Sequence, residues 1–273
     1  MNGAKATDAV ILARGLGTRM RSDAAGPLDA EQSRAADAGS KAMMPFERPF
    51  IDYILSALAD AGVTRAVLVI GPEHTAIRDY VERTRSGRRV RVDFAIQFEP
   101  RGTADAVLAA RAAVDANCFL SLNADNYYPT RVFAELASFG GAGLIGFDAD
   151  ALVREGNIEP ERVLRYALLD VDKDGWLRAI HEKPSVDHPL AQRGKRSVSM
   201  NVWSFTQRIF EACERVRPSP RGELELADAV TIAMRELGER FRVLPMEAGV
   251  LDLSLRSDVA VVAARLAGIA PHP

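Results

Sequence analysis

The sequence predicts an α/β protein with a Rossmann-like, mixed but mainly parallel sheet that is flanked by helices. Short apolar runs alternate with helical patterns through residue 150, which is the order that βαβ units produce. Glycine-bearing or polar stretches follow several of these runs directly, and ligands of open parallel sheets bind beyond the carboxyl ends of the strands. The 273 residues, 48% of them hydrophobic, suffice to bury the core of one domain, which we expect to span 1–273.

Each predicted element rests on a local pattern of apolar residues. Apolar runs or strict alternation predict strands at 9–13, 65–71, 90–97, 118–125 and 142–148. Helical spacing predicts helices at 49–62, 75–84, 102–114 and 131–140. Beyond residue 150 the pattern predicts two strands in 165–184 around a turn at Asp172–Gly175, strands at 197–205 and 241–246, and helices at 206–216, 225–238 and 257–267. The segment 22–40 is polar and small, which is typical of a long active-site loop that is a lid or disordered.

Charge and cysteine usage exclude several classes of function. A net charge of −2 and a pI of about 6.1 leave no basic excess for binding a nucleic acid. Cys118 and Cys213 match no metal-ligand spacing and are expected to be buried, reduced thiols. No signal-peptide pattern is present, and no apolar run approaches the roughly 18 residues that span a bilayer. We therefore expect a cytoplasmic protein with no nucleic-acid or membrane partner.

The stretch "DAVILARGLGTRMR" (8–21) opens from a strand into a glycine turn. Backbone N–H groups of such a turn can face an anion, and Arg19 adds a fixed positive charge. The dinucleotide fingerprint requires a third glycine where Met20 stands, so NAD binding has weak support. Lys41 can supply a second charge across the polar segment. The alternative is a tight turn with a solvated arginine.

Further motifs follow this loop in a fixed order and together resemble the sugar-1-phosphate nucleotidyltransferases. The resemblance covers roughly residues 8–260. Its motifs are "LARGLGTRM" (12–20), "KAMMP" (41–45), "QFEPRGTADAV" (97–107), "LNADNYYP" (122–129), "HEKP" (181–184), "VSMNVW" (198–203) and "VLDLSLRSDV" (250–259).

The resemblance implies transfer of a nucleotidyl group from an NTP to a sugar 1-phosphate. The nucleophilic phosphate is already ionised, so catalysis is mostly positioning and electrostatic stabilisation, for which Mg²⁺ is suited. The implied catalytic residues are Arg19, Lys41 and Asp125, with Asp125 and Asp252 as metal ligands. The implied nucleotide-binding residues are Ala13, Arg14, Gly15, Gly17, Thr18, Gln97, Gly102 and Thr103. The implied sugar-phosphate-binding residues are Glu182, Lys183 and Asn201, within sugar-binding elements at 150–220.

Base choice is open to partial inference. The Gln97 amide offers one donor and one acceptor, which match the N3–H and a carbonyl of uracil or thymine, so UTP or dTTP is favoured. Arg14 departs from the family, which has a small residue there. It must turn away from the site or contact the nucleotide. Our hypothesis is that it lines the site and shifts base preference, and use of GTP, ATP or CTP stays an alternative.

Other interpretations of these residues remain open. Asp125 can be a structural cap, and Asp252 or Asp258 can cap the last helix. Glu182 and Lys183 can be an exposed charged pair, while Asn201 can satisfy backbone groups. Trp203 is expected in the core, and no histidine is assigned a role. A catalytically silent nucleotide-sugar-binding regulator and an NAD(P)-dependent oxidoreductase are the rival functions. The resemblance also allows a homo-oligomer, and the lack of a hexapeptide-repeat segment argues against acyl transfer.

Overall fold

A ten-stranded sheet organises the chain in the computed structural model, which describes residues 5–15, 17–22, 28–84 and 88–273. The strands are Asp8–Leu12 (β1), Arg65–Ile70 (β2), Arg91–Ile96 (β3), Cys118–Asn123 (β4), Asn126–Tyr127 (β5), Gly143–Asp148 (β6), Ala167–Val171 (β7), Leu177–His181 (β8), Ser197–Ser199 (β9), Trp203–Thr206 (β10), Arg242–Met246 (β11) and Leu251–Asp252 (β12). The helices are Thr18–Ser22 (α1), Ala30–Asp37 (α2), Phe50–Asp60 (α3), Thr75–Thr84 (α4), Thr103–Ala109 (α5), Thr130–Phe139 (α6), Ala149–Glu155 (α7), Arg208–Arg215 (α8), Leu226–Arg235 (α9) and Asp258–Leu266 (α10).

The strand order is β3-β2-β1-β4-β10-β6-β9-β7-β8, and β11 pairs with β6 outside this path. The neighbours β3, β2, β1 and β4 are parallel, as the βαβ pattern predicts. Strand β10 joins β4 in antiparallel orientation, and the β7–β8 and β7–β9 pairs are also antiparallel. The small strands β12 and β5 form a separate antiparallel pair. The predicted class, a mixed and mainly parallel sheet with flanking helices, is confirmed.

Both faces of the sheet are covered, which explains the uninterrupted apolar strands. On β1, Ala9 and Ile11 enter one core, whereas Val10 enters the other. Helices α3, α4, α6 and α10 contribute to the first core and α5, α8 and α9 to the second. Cys118 and Cys213 are buried free thiols, as expected. No helix within the described ranges is long and apolar enough to cross a membrane.

Two local predictions differ from the structure. The segment 22–40 contains helix α2, so its described part is not simply a loop; residues 23–27 lie outside the described residues. Asp29 accepts hydrogen bonds from the backbone of Glu31 and Gln32, and the Gln32 side chain accepts from the Asp29 N–H, which together form a capping box. The predicted strand 197–205 is two strands, β9 and β10, because the chain takes a left-handed turn at Asn201, where φ is 56°.

Candidate active site

A cavity of about 400 Å³ opens at the carboxyl ends of β1, β3 and β4. Its volume lies within the range of small-molecule sites. Every residue predicted to be catalytic or nucleotide-binding lines it: Ala13, Arg14, Gly15, Gly17, Thr18, Arg19, Lys41, Gln97, Gly102, Thr103 and Asp125. These residues come from segments far apart in sequence, and they meet because parallel strands end at one edge of the sheet.

The glycine turn after β1 is fitted closely to the segment before Lys41. Gly17 has a φ of 60°, a conformation that favours glycine. A Cβ at Gly17 would lie only 2.6 Å from the Cα of Gly39. Gly15, by contrast, has open space around its missing side chain. The close Gly17–Gly39 contact therefore brings Lys41 to the same cavity as the turn, where Arg19 is exposed at the start of α1.

Lys41 and Asp125 form the central charged pair of the cavity. The Lys41 Nζ lies 2.9 Å from Asp125 Oδ2, and the side chains are 11% and 27% exposed. Lys41 occupies a short 3₁₀ helix (Lys41–Met43), and Asp125 directly follows β4 and Ala124. A charge-assisted hydrogen bond between partly buried groups holds both in place. The pair places one cation and one carboxylate on the wall of the cavity.

Asp252 lies beside this pair but does not line the cavity. The β12–β5 pairing sets Asp252 opposite Asn126, and the N–H of Leu253 donates to the carbonyl of Asp125 at 2.9 Å. The Asp252 carboxylate is buried and accepts hydrogen bonds from Arg162 (2.7 Å), Tyr166 (2.8 Å) and Ser254 (3.0 Å). Burial, and then the negative charge of Asp125, raise the pKa of Asp252.

Neither late aspartate is the N-cap of α10, which is Ser257; Asp258 is the first residue of that helix and binds the turn before it. Its Oδ2 accepts from the backbone N–H groups of Ser254 at 2.9 Å and Leu255 at 2.7 Å. Arg162 binds both Asp258 and Asp252, with distances of 2.6 and 2.7 Å. The carboxylate of Asp252 is thus engaged with Arg162 rather than with the start of α10. Its role as a metal ligand stays a prediction.

Arg14 turns into the cavity rather than away from it. The residue is 8% exposed, and its Nη1 donates to the main-chain carbonyl of Gln97. Its Nε and Nη2 each lie 3.2 Å from Oε1 of Glu73. Gly71 makes room for this pair, because a Cβ there would lie 2.5 Å from the Arg14 Nε. The family departure at position 14 is therefore built into the site with its own partners.

His74 and Glu223 line the cavity although sequence reasoning assigned them no role. The Gly71 N–H donates to His74 Nδ1 at 3.1 Å, and burial lowers the pKa of the imidazole. A neutral ring then carries its proton on Nε2. Glu223 is brought in because Gly102, with φ at 121°, packs directly on Leu224. The position of His74 just after β2 was the available signal; for Glu223 the sequence offers none.

The predicted sugar-phosphate residues lie outside the cavity. Glu182, Lys183 and Asn201 are all exposed. Leu168 of β7 pairs with both His181 of β8 and Val198 of β9, so β8 and β9 lie on either side of β7. Lys183 follows β8 and Asn201 follows β9, so both residues lie at the same edge of the sheet. The Tyr128 hydroxyl donates to the carbonyl of Met200 at 2.5 Å, which ties this end to the strand after Asp125.

Trp203 belongs to the core, as expected. It is 2% exposed and stacks on Phe205 with ring centroids 5.5 Å apart. It is therefore not available as a platform for a sugar ring.

The chain is similar to known proteins in sequence and in fold. The chain is 26% identical over 253 residues to the UTP–glucose-1-phosphate uridylyltransferase AglF of Haloferax volcanii, covering 92% of each protein. It is 27% identical over 225 residues to a glucose-1-phosphate thymidylyltransferase of Streptomyces griseus, covering 81% of this chain and 56% of that protein. The crystal structure of a UDP-glucose pyrophosphorylase complexed with UDP-glucose shares the fold, with a TM-score of 0.71 at 18% identity and coverage of 95% and 97%.

The family itself is identified by a match that spans most of the chain. Residues 8–246 match the family described as nucleotidyl transferase. This range contains every predicted catalytic and nucleotide-binding residue and leaves out only the last predicted motif, which carries Asp252. The oxidoreductase alternative is therefore excluded. The protein is a member of the nucleotidyl transferase family, and it resembles the sugar-1-phosphate enzymes of that family.

Proposed function

We propose that the chain transfers a nucleotidyl group from an NTP, with UTP or dTTP favoured, to a sugar 1-phosphate. The products are an NDP-sugar and pyrophosphate. The observation that carries this proposal is the Lys41–Asp125 pair, 2.9 Å apart, in a cavity that also contains the glycine turn and Arg19. Backbone N–H groups and fixed cations suit a triphosphate, because both are preorganised for negative charge.

The reaction needs positioning and charge stabilisation more than proton transfer. An ionised phosphate oxygen of the sugar substrate attacks the α-phosphorus in line, a new P–O bond forms, and the bond to pyrophosphate breaks. Lys41 stabilises the negative charge that develops at the α-phosphate. Arg19 binds the β- and γ-phosphates and the departing pyrophosphate. These contributions are electrostatic and are strengthened by the partial burial of the site.

A divalent cation fits the carboxylate at the centre of the cavity. Asp125 Oδ2 accepts from Lys41, whereas Oδ1 has no hydrogen-bond partner among the described residues. The described part of the chain contains no cluster of three or more His, Cys, Asp or Glu side chains that could hold a metal. Asp125 would hold Mg²⁺ through Oδ1 together with substrate phosphates, and Asp252 would join as a second ligand by giving up a hydrogen bond that one of its oxygens now accepts. When bound, Mg²⁺ would neutralise phosphate charge.

Lys183 is proposed to hold the phosphate of the sugar substrate, with Glu182 and Asn201 contacting the sugar. Lys183 and Asn201 have φ values of 45° and 56°, the positive φ values found among the non-glycine residues that the structure describes. Such backbone strain persists at functional sites when the surroundings enforce it. Both residues also lie in motifs of the resemblance, "HEKP" (181–184) and "VSMNVW" (198–203), which supports the assignment.

The proposal is tested by a matrix of NTPs against sugar 1-phosphates with Mg²⁺, in which pyrophosphate release is measured. We expect turnover with at least one pair, and a loss of at least about a hundredfold in Asp125→Asn, because a preorganised electrostatic contact is removed. Asp115→Asn, at an exposed acid away from the cavity, is the matched control and should retain activity. Absence of turnover with every pair would favour the catalytically silent regulator.

A further inference from the structure

The Gln97 side chain cannot offer both a hydrogen-bond donor and an acceptor to a base. Its amide nitrogen donates to the carbonyl of Gly102 at 3.1 Å and to Asp105 Oδ2 at 2.8 Å. An amide NH₂ has two hydrogens, so both are committed. Arg101 binds the other oxygen of Asp105 at 2.6 Å and holds that acceptor in place. Gln97 Oε1 accepts nothing from the described residues, so this side chain can only accept from a ligand.

Arg14 supplies a donor at the same place. Its guanidinium has five N–H groups, and one Nη1 hydrogen goes to the Gln97 carbonyl while Nε and Nη2 face Glu73. The second Nη1 hydrogen therefore has no acceptor within the described chain. The Arg14 side chain is 6% exposed and lines the cavity, whereas the Glu73 side chain is 51% exposed.

This part of the cavity suits a planar, uncharged group better than a phosphate. The charge of Arg14 is offset by Glu73, and Pro100 and Ala106 line the wall beside Gln97. Arg19 and Lys41, in contrast, stand on the glycine turn and the segment packed against it. A nucleotide placed with its phosphates at these two cations would direct its base toward Arg14 and Gln97.

Every base carries an acceptor next to a donor, so the Arg14–Gln97 pair selects among bases by the order of these two groups along the edge of a base held in one orientation. Uracil and thymine carry a carbonyl at C4 next to N3–H, and guanine carries a carbonyl at C6 next to N1–H. In the same orientation adenine and cytosine present an amino group to the arginine and an unprotonated ring nitrogen to Gln97 Oε1. Both contacts would then be mismatched, and unpaired buried polar groups are costly.

We propose that Arg14, held by Glu73, determines base specificity by donating to a base carbonyl, so that the site prefers UTP, dTTP and GTP over ATP and CTP. The inference rests on the proposed function and extends it, because the donor comes from Arg14 and not from the Gln97 amide. Glu73 is a positioning residue that fixes the plane of the guanidinium, and Gly71 leaves the space that this requires.

Equilibrium binding of the five nucleotides, without sugar 1-phosphate, tests the proposal. The wild-type protein should bind UTP, dTTP or GTP at least tenfold more tightly than ATP and CTP. Arg14→Met should weaken binding of the carbonyl-bearing nucleotides roughly tenfold to a hundredfold, the range for losing a hydrogen bond to a charged group, and should level the preference. Arg111→Met, which breaks an exposed Arg111–Glu214 pair elsewhere, is the control and should leave the ratios unchanged.

Glu73→Ala provides a second route if Arg14→Met does not fold. Glu73 is half exposed, and its loss leaves Arg14 held only by the Gln97 carbonyl among the described residues. The ratio of the dissociation constants for carbonyl-bearing and amino-bearing bases should then fall several-fold, and Glu73→Gln should restore part of it. If the ratios of the dissociation constants were unchanged in a folded variant, or if the wild-type protein preferred ATP or CTP, the role of Arg14 would be overturned but the proposed function would not. A wild-type protein that binds none of the five nucleotides would overturn the proposed function as well.

Discussion

Lys183 and Asn201 hold a backbone conformation that side chains with a Cβ adopt at a cost. Their φ values of 45° and 56° lie in the left-handed region. Asparagine tolerates this region better than most residues, whereas lysine gains nothing from it. Both side chains are exposed, so packing of the core does not impose the conformation. A binding function for the two residues that follow β8 and β9 is the explanation that we propose for this strain.

Replacing Lys183 tests this explanation. Lys183→Ala should raise KM for the sugar 1-phosphate roughly tenfold or more, since a hydrogen bond to a charged group is lost. KM for the NTP should change little, because Lys183 does not line the nucleotide cavity. Steady-state kinetics with each substrate varied in turn measures both values. Lys173→Ala, in the exposed turn between β7 and β8, serves as the control. Equal changes in both KM values would contradict the assigned role.

The orientations of the side chains in the site could not be predicted from the sequence. The motif around Arg14 predicted two possible orientations of the side chain, away from the site or toward the nucleotide. The choice depends on Glu73 and Gln97, which are 59 and 83 residues away in sequence. The same holds for the Gln97 amide, whose nitrogen is committed to Asp105. Such contacts are fixed by tertiary packing, so no local pattern reveals them.

At the scale of elements, the glycine turn and the segment that ends at Lys41 form one unit. Gly17 lies against Gly39, and the Arg21 guanidinium donates to the carbonyl of Ala38 at 2.7 Å. Helix α2 lies between them in sequence and begins with the Asp29 capping box. The turn thus lines the cavity and, through its contact with Gly39, brings the segment with Lys41 to the same cavity.

Substituting the two glycines of the turn separates these effects. Gly17→Ala should lower the free energy of unfolding by about 1–2 kcal/mol for the left-handed conformation alone, and further because its Cβ would meet Gly39 backbone. Gly15→Ala should stay within about 0.5 kcal/mol, since nothing surrounds the added Cβ. Urea denaturation of both variants measures the difference. Equal losses would show that the Gly17–Gly39 contact does not stabilise the turn.

Element prediction succeeded where the signal was local and failed where it was weak or interrupted. Strands β1, β2 and β4 are mostly apolar and buried, and their bounds agree with the prediction within two residues. Helix α2 was missed because its residues are small and polar, although Asp29 and Gln32 have the spacing of a capping box. The division of 197–205 into two strands could not be predicted from sequence. The left-handed turn at Asn201 does not interrupt the alternation of apolar and polar residues that predicts a strand.

At the scale of the whole molecule, the parallel half of the sheet assembled the cavity as the sequence predicted. Motifs after β1, β3 and β4 converge because their strands end at one edge, and topology alone requires this. The second half is mixed, with β11 parallel to β6 and the other pairs antiparallel, and it offers no comparable rule. There the position of Asp252 depends on Arg162. The Arg162 guanidinium binds Asp252 and Asp258, which are 90 and 96 residues away in sequence. The late segment is joined to the rest of the fold through this cluster.

Removing the guanidinium should therefore destabilise the whole molecule. Arg162 is 12% exposed, and its two carboxylate partners are 4% and 6% exposed. Arg162→Met would leave both carboxylates buried without their cation, and breaking such a pair costs roughly 3–5 kcal/mol. Urea denaturation at neutral pH measures this loss. Arg154→Met is the control, because it breaks an ion pair with Glu155 in which the arginine side chain is more than half exposed. It should lower the free energy of unfolding by no more than about 1 kcal/mol. If the two variants were equally stable, the Arg162 cluster would not be what holds Asp252 beside the active site.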